Sequence, residues 1–223
     1  SALTSLIQGE RPGPDYIRAC FQEIMNGDVS EVQMGAFLIA LRMRGEQVAD
    51  ISAAAAVMRE KATTISASDA TMDIVGTGGD GFGTYNISTA SAFVVAGCGI
   101  QVAKHGNKAV SSQSGAADVL SALGIKVDCD FDLVKQALDE ANIAFLMAPR
   151  HHAAMRHVAP VRAELGVRTI FNMLGPLANP ALVKRIMVGV YDRTYCAPFA
   201  HVLAELGTTH AWVVHGADGL DEV

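Results

Sequence analysis

The residues best placed to do chemistry are Gly76-Thr77-Gly78-Gly79-Asp80-Gly81, followed a few positions on by Asn86-Ile87-Ser88-Thr89. A short apolar run, Met72-Asp73-Ile74-Val75, leads into the glycines, and hydroxyl-rich residues begin the stretch after them. Strand, glycine loop and helix start, in that order, make a phosphate cradle. Glycine lets the backbone turn left-handed and come close to a ligand, and the unpaired N–H groups at a helix start favour an anion. Read alone, the same order serves equally well as a tight connection. The spacing excludes two common nucleotide loops. No lysine follows at the Walker position, and Gly76, Gly78 and Gly79 do not form the dinucleotide fingerprint Gly-x-Gly-x-x-Gly.

Five further groups of residues stand out. Lys104-His105-Gly106-Asn107 follows a second apolar run, Ile100–Ala103, and ligands collect at the carboxyl ends of parallel strands. Lysine there suits phosphate as a mobile point charge, although a polar turn with a solvent-facing lysine would look the same. Ser111-Ser112-Gln113-Ser114-Gly115-Ala116 leads into a helix and offers either more phosphate donors or ordinary caps. The pair Asp221-Glu222 suits Mg²⁺ in chemistry, while taken alone it reads as two solvated loop acids. His151, His152, Arg156, His157 and Arg162 form a His-rich patch that suggests a metal, although zinc needs ligands that converge and no His-Glu-x-x-His is present. Arg162, two residues beyond the helix-disturbing Pro160, is either a surface arginine or the partner of a substrate carboxylate. The run Phe171–Pro180 reads as a turn-dense, buried loop that shapes one wall of a cleft.

Regular elements must hold these groups. Up to about Thr64 the pattern is helical throughout. Ile17, Cys20, Phe21 and Ile24 share one face of a helix over Tyr16–Met25, which Asn26-Gly27 stops. Ser30 with Gln33 forms a capping-box signature for a helix that runs to Gly45, and the alanine-rich Val48–Ala62 forms a third. Beyond Thr71, short apolar runs alternate with helical ones. Strands are expected at Met72–Val75, Ile100–Ala103, Ile125–Val127, Ala144–Met147, Arg185–Val190 and Ala211–Val214, with helices at Ser88–Ala96, Ala116–Leu123, Leu133–Ala141 and Tyr195–Leu206. The implied fold class is α/β: a small N-terminal helical domain, residues 1–66, beside a mainly parallel sheet covered by helices, residues 67–223.

Composition narrows the class. The chain has 223 residues, is 50% hydrophobic and 18% charged, and has a mean hydropathy of +0.27, which suits a well-buried globular protein. A net charge of −6 argues against nucleic-acid or membrane-surface affinity. The four cysteines form no Cys-x-x-Cys pair and read as small buried residues of a reducing compartment. With no signal-like start and no membrane-length apolar run, a cytoplasmic protein is expected.

Taken together and in order, the glycine loop, Asn86–Thr89, Lys104–Asn107, the Arg162 segment, Gly175-Pro176-Leu177-Ala178-Asn179-Pro180 and Asp221-Glu222 resemble the anthranilate phosphoribosyltransferase family. That resemblance implies a helical domain that also makes a homodimer contact, an α/β domain, and an active site in the hinge between them. It implies transfer of a phosphoribosyl group from phosphoribosyl pyrophosphate to the amine of anthranilate, in tryptophan biosynthesis. Gly76, Gly79, Asp80 and Thr84, with Asn86, Ile87, Ser88 and Thr89, would surround phosphoribosyl pyrophosphate. Lys104, His105, Gly106, Asn107 and Lys108 would complete that site, with Ser111, Ser112 and Ala116 beside them. Gly76, Asn107, His152 and Arg162 would line the anthranilate path, and Ser88, Asp221 and Glu222 would hold Mg²⁺. No residue is assigned as a general base.

The chain departs from the family pattern in two places: Lys108 stands where arginine is usual, and Ala153 where proline is usual. Lysine keeps the charge and loses the bidentate fork. Family members also continue well past the Asp-Glu pair, so a truncated or cleaved chain is expected, with an exposed sheet edge if Val223 is the true end. Two rival readings remain: a pyrimidine nucleoside phosphorylase-like enzyme and a non-catalytic nucleic-acid-binding relative. The first would not need the carboxylate pair, and the second would need a basic stripe.

Overall fold

Four helices open the chain: α1 (Ala2–Ile7), α2 (Pro14–Asn26), α3 (Glu31–Arg44) and α4 (Val48–Glu60). A computed structural model describes residues 2–78, 85–108 and 115–219. Pro14 starts α2, where its missing N–H would have had no helical partner. Gly27 ends it in the left-handed conformation with φ 83°. The His157 ring lies so close that a Cβ on Gly27 would come within 2.6 Å of it. Ser30 caps α3 by accepting the Gln33 N–H at 3.3 Å, while the Gln33 side chain takes the Ser30 hydroxyl. Gly45 stops α3 as its position implies. Ala53, Ala54 and Ala55 are buried along α4, and small side chains of this kind let helices approach closely.

The α/β part follows in the order β1 (Met72–Gly76), α5 (Ile87–Gly97), β2 (Val102–Gly106), α6 (Ala116–Ala122), α7 (Phe131–Ala141), β3 (Ile143–Met147), α8 (Ala148–His151), α9 (Ala159–Leu165), α10 (Phe171–Leu177), β4 (Arg185–Gly189), α11 (Cys196–Glu205) and β5 (His210–Val214). The five strands among the described residues are all parallel, in the order β3-β2-β1-β4-β5. Both faces are covered. Val102 packs with Ile74 and with Ala92 and Ala96 of α5, whereas its neighbour Ala103 packs with Val134 and Leu138 of α7. Successive strand residues point to opposite faces, so one helix lies on each side, which explains the near-continuous apolar strands.

The chain divides into two compact units. The first joins residues 1–62 to 152–178, so α9 and α10 leave the α/β stretch of sequence and pack with the N-terminal helices. Phe21 is central to it, edge-to-face with Phe37 and with Phe171, each at 5.8 Å between centroids. Each such buried ring contributes about 1.5–3 kcal/mol through burial. The second unit comprises residues 63–151 with 179–223 and carries the sheet.

Four expectations need correction. Ile125–Val127 is not a strand. It is a loop after Gly124, too short and too exposed to find a partner. The second strand runs over Val102–Gly106 rather than Ile100–Ala103, so Lys104, His105 and Gly106 lie within it and not after it. Polar residues at the ligand end of a strand break the apolar pattern that marks its boundary. Phe171–Leu177 is a helix despite Pro176, which sits in its last turn. Pro160 opens α9 and does not disturb it. Among the described residues β5 is an edge strand with Trp212 72% exposed, and no helix is long and apolar enough to cross a membrane.

Candidate active site

Strand order sets the place. From β1 the chain winds outward through β2 and β3, then returns to lay β4 on the other side of β1 and winds on to β5. The reversal lies between β1 and β4, and in open parallel sheets ligands bind beyond the carboxyl ends of strands at such a switch point. Here β1 ends at Gly76 and β4 at Gly189, side by side in register. Thr77 ties the two together: its N–H donates to the Gly189 carbonyl at 2.9 Å, and its hydroxyl accepts the Tyr191 N–H at 3.0 Å. Gly78 follows with φ 65°, in the region that favours glycine. Gly79, Asp80 and Thr84 lie outside the described residues, as do Ser111, Ser112, Asp221 and Glu222.

The chain returns to view at the head of α5. Asn86 is its N-cap, accepting the Thr89 N–H at 3.2 Å. Ile87 and Ser88 open the helix, and Thr89 is buried behind them. Lys104 on β2 is almost fully buried and reaches this helix start. Its Nζ donates to the Ile74 carbonyl at 2.7 Å and to Ser88 Oγ at 3.2 Å. A positive charge, a hydroxyl and a helix N-terminus therefore converge beside the end of β1, an arrangement suited to a multiply charged anion. The structure brings Gly76, Asn86, Ile87, Ser88, Thr89 and Lys104 together.

Beyond Lys104, His105 is buried in β2. Gly106 ends the strand where a Cβ would meet the Phe145 ring at 2.7 Å and Ala116 Cβ at 3.2 Å. Gly106→Val is therefore expected to destabilise the protein by about 1–3 kcal/mol through overpacking, readable as a lowered Tm. The Asn107 carbonyl accepts the Ala117 N–H at 3.1 Å, fixing the first turn of α6, which Ala116 opens. The Asn107 side chain accepts the Lys108 N–H at 2.8 Å.

Two residues that sequence reasoning passed over lie beneath this site. Asp73 on β1 is completely buried. Its Oδ1 accepts the His105 N–H at 3.2 Å, and its Oδ2 accepts Asn179 Nδ2 at 2.7 Å. Asn179 also donates to the Ala103 carbonyl at 2.8 Å and accepts the Ala181 N–H at 2.8 Å. Burial pushes the Asp73 carboxyl up to about 6, opposed by the Lys104 charge, the Asn179 bond and the main-chain N–H groups of His105 and Ile74. The available signal was an acid in the middle of an apolar parallel strand, a position that is costly without dedicated partners.

His152 and Arg162 belong to the helical unit. His152 is buried ahead of the 3₁₀ turn Ala153–His157, which Ala153 opens. Arg162 on α9 lies with its guanidinium 5.9 Å from the Phe171 ring centroid, and burial lowers its pKa. His151 has a structural setting in the sheet unit: its Nδ1 lies 2.6 Å from the Thr63 carbonyl and its ring is 4.8 Å from Phe131. Burial lowers its pKa too, with the Thr63 bond opposing. Among the described residues no group of three or more His, Cys, Asp or Glu could hold a metal, and all four cysteines are free.

Comparison with known proteins agrees with this layout. A glycosyl transferase family helical bundle domain matches residues 1–62, and the a/b domain of the same family matches residues 68–223. The anthranilate phosphoribosyltransferase of Azospirillum brasilense is 61% identical over 203 residues, covering 91% of this chain and 57% of that protein. The Rhodospirillum rubrum enzyme of the same name is 58% identical over 223 residues, covering 99% of this chain and 64% of the relative. A solved anthranilate phosphoribosyltransferase from Thermus thermophilus superposes with a TM-score of 0.92 at 45% identity, covering 100% of this chain and 67% of that one. The Saccharomyces cerevisiae protein, solved in complex with PRPP and Mg, gives 0.91 at 31% identity, covering 99% and 66%. The chain spans 57% to 65% of the length of the first curated relatives it matches.

Proposed function

This chain belongs to the anthranilate phosphoribosyltransferase family of glycosyl transferases, and we propose that it works in the transfer of a phosphoribosyl group from phosphoribosyl pyrophosphate to the amine of anthranilate. The observation that carries this reading is the Lys104 ammonium held against Ser88 at the head of α5, at the carboxyl end of β1. That is where a pyrophosphate would find a positive charge and a helix N-terminus together. The main-chain N–H groups of α5 and Lys104 would stabilise the departing pyrophosphate, with the Gly76–Thr84 segment and Asn107–Ser112 around the rest of the donor. The amine of anthranilate is neutral at pH 7, so attack on the ribose C1 needs positioning more than a base. His152 and Arg162 would serve the anthranilate side, the guanidinium being suited to its carboxylate.

Ser88, Asp221 and Glu222 would hold Mg²⁺. One hydroxyl and two carboxylates are the hard oxygen donors this ion takes beside substrate phosphates, and Ser88 already lies next to the proposed phosphate site. When bound, the ion would neutralise charge on the leaving pyrophosphate. A homodimer through the helical unit is part of the reading. Ile7 of α1 and Val32 and Met43 of α3 are each more than 70% exposed there, which leaves apolar surface for a second copy. A cytoplasmic location completes it.

Loss of anthranilate fluorescence on mixing with phosphoribosyl pyrophosphate and Mg²⁺ tests the function, in this chain and in a form extended to the length of its relatives. Loss in the extended form is expected, and Asp221→Asn in that form should lower kcat about a hundredfold or more without moving the Tm, on the scale of a lost transition-state interaction. No loss in either form, with both folded, would sink the assignment. An Asp221→Asn form that loses stability but keeps normal turnover per folded molecule would sink the metal role.

A further inference from the structure

The ladder between β1 and β2 stops almost where it starts. The pairs β1–β4, β2–β3 and β4–β5 each hold register over five residues, whereas β1 and β2 share only Met72 with Val102. The Met72 N–H donates to the Gln101 carbonyl at 2.9 Å, which fixes which groups face across this gap. Main-chain groups of a strand alternate sides, so Gln101, Ala103 and His105 face β1, while Met72 and Ile74 face β2. A continued parallel ladder would join the Ile74 N–H to the Ala103 carbonyl, and the His105 N–H to the Ile74 carbonyl.

Side chains take three of those groups instead. The Asp73 carboxylate accepts the His105 N–H at 3.2 Å. Asn179 donates to the Ala103 carbonyl, and Lys104 Nζ donates to the Ile74 carbonyl. The Ile74 carbonyl, the Ala103 carbonyl and the His105 N–H therefore keep partners where the ladder is broken. The break is built, and its product is the placement of Lys104. The ammonium is anchored on a carbonyl that an ordinary sheet would have consumed, and from there it reaches Ser88.

We infer that Asp73 and Asn179 are positioning residues: together they splice β1 to β2 through side chains and free the Ile74 carbonyl to aim Lys104 at the phosphate end of the donor. Neither residue is assigned a contact with substrate. The inference rests on the proposed function for its catalytic consequence, but the splice itself does not.

Asp73→Asn tests it, in the form extended to the length of the relatives. The asparagine can still accept the His105 N–H, but it turns an N–H₂ group toward Asn179 Nδ2. The KM for phosphoribosyl pyrophosphate should rise about tenfold or more, the KM for anthranilate should stay within about twofold, and kcat should fall less than the donor KM rises. A lowered Tm with both KM values unchanged would overturn the inference and leave the function standing. A parent form with no turnover at all would overturn the function alone. The splice is then read by amide hydrogen exchange in the unaltered chain. The His105 amide should exchange as slowly as Met187 in the continuous β1–β4 ladder, and exchange as fast as in an exposed turn would overturn the splice. That reading needs no substitution, so it also decides the case in which Asp73→Asn does not fold.

Discussion

Asn179→Ala should lower the free energy of unfolding by about 3–5 kcal/mol, the scale set by removing one partner of a buried charge. The deletion strips three groups at once: Asp73 Oδ2, the Ala103 carbonyl and the Ala181 N–H each lose the bond that Asn179 makes to them. A buried neutral group left without a partner costs about 1–3 kcal/mol, and a buried charge costs more. The carboxylate dominates, because its pKa of about 6 leaves it ionised at neutral pH and it has no solvent to turn to. Denaturant unfolding of the unaltered chain and the variant at pH 7 measures the difference. A loss below about 1 kcal/mol would mean that water replaces the carboxamide, and that Asn179 is not the joint between β1 and β2.

The same region shows what could be read from sequence. The glycine loop, Ser88 and Lys104 were legible because each sits in a motif whose residue types have little other use together: glycines, hydroxyls at a helix start, and a lysine at a strand end. The strands were legible where both faces are apolar, at β1, β3, β4 and β5, which fall within a residue or two of expectation. They were not legible where the site replaces the pattern. Lys104 and His105 look like loop residues, yet they belong to β2, where the Ile74 carbonyl accepts the Lys104 ammonium and the Asp73 carboxylate accepts the His105 main-chain N–H. Asn179 was lost for a related reason. Its run of glycine, proline and asparagine reads as a turn, and a turn residue that reaches 76 positions back to Ala103 and 106 back to Asp73 leaves no local periodic trace. The capture of residues 152–178 by the helical unit is likewise non-local, since α9 and α10 are short and their apolar faces do not name a partner.

Acidification should stabilise the unaltered chain relative to Asp73→Asn by about 2 kcal/mol between pH 7 and pH 4.5, out of about 3 kcal/mol for the full titration. In the folded chain Asp73 keeps its proton up to about 6, whereas at its ordinary value of 3.8 an unfolded chain has already released it. Between those two values the native state binds the extra proton, so stability from this group falls as pH rises through the window. The contribution is fully present below 3.8 and is lost above about 6. Other carboxylates titrate alike in the two proteins, so the difference between their unfolding free energies isolates Asp73. A difference that does not change with pH would show that the Asp73 carboxyl titrates at its ordinary value, and that the donors around it fully offset its burial. The expected sign has a functional reading as well. At neutral pH the chain carries an ionised carboxylate in its core at a net cost in stability, and the His105 N–H that this charge holds is one a continuous sheet would have paired without it. A sequence under selection for stability alone would close the ladder. Keeping it open makes sense where the opening positions a group that works, and the buried lysine two residues along β2 from Val102 is that group.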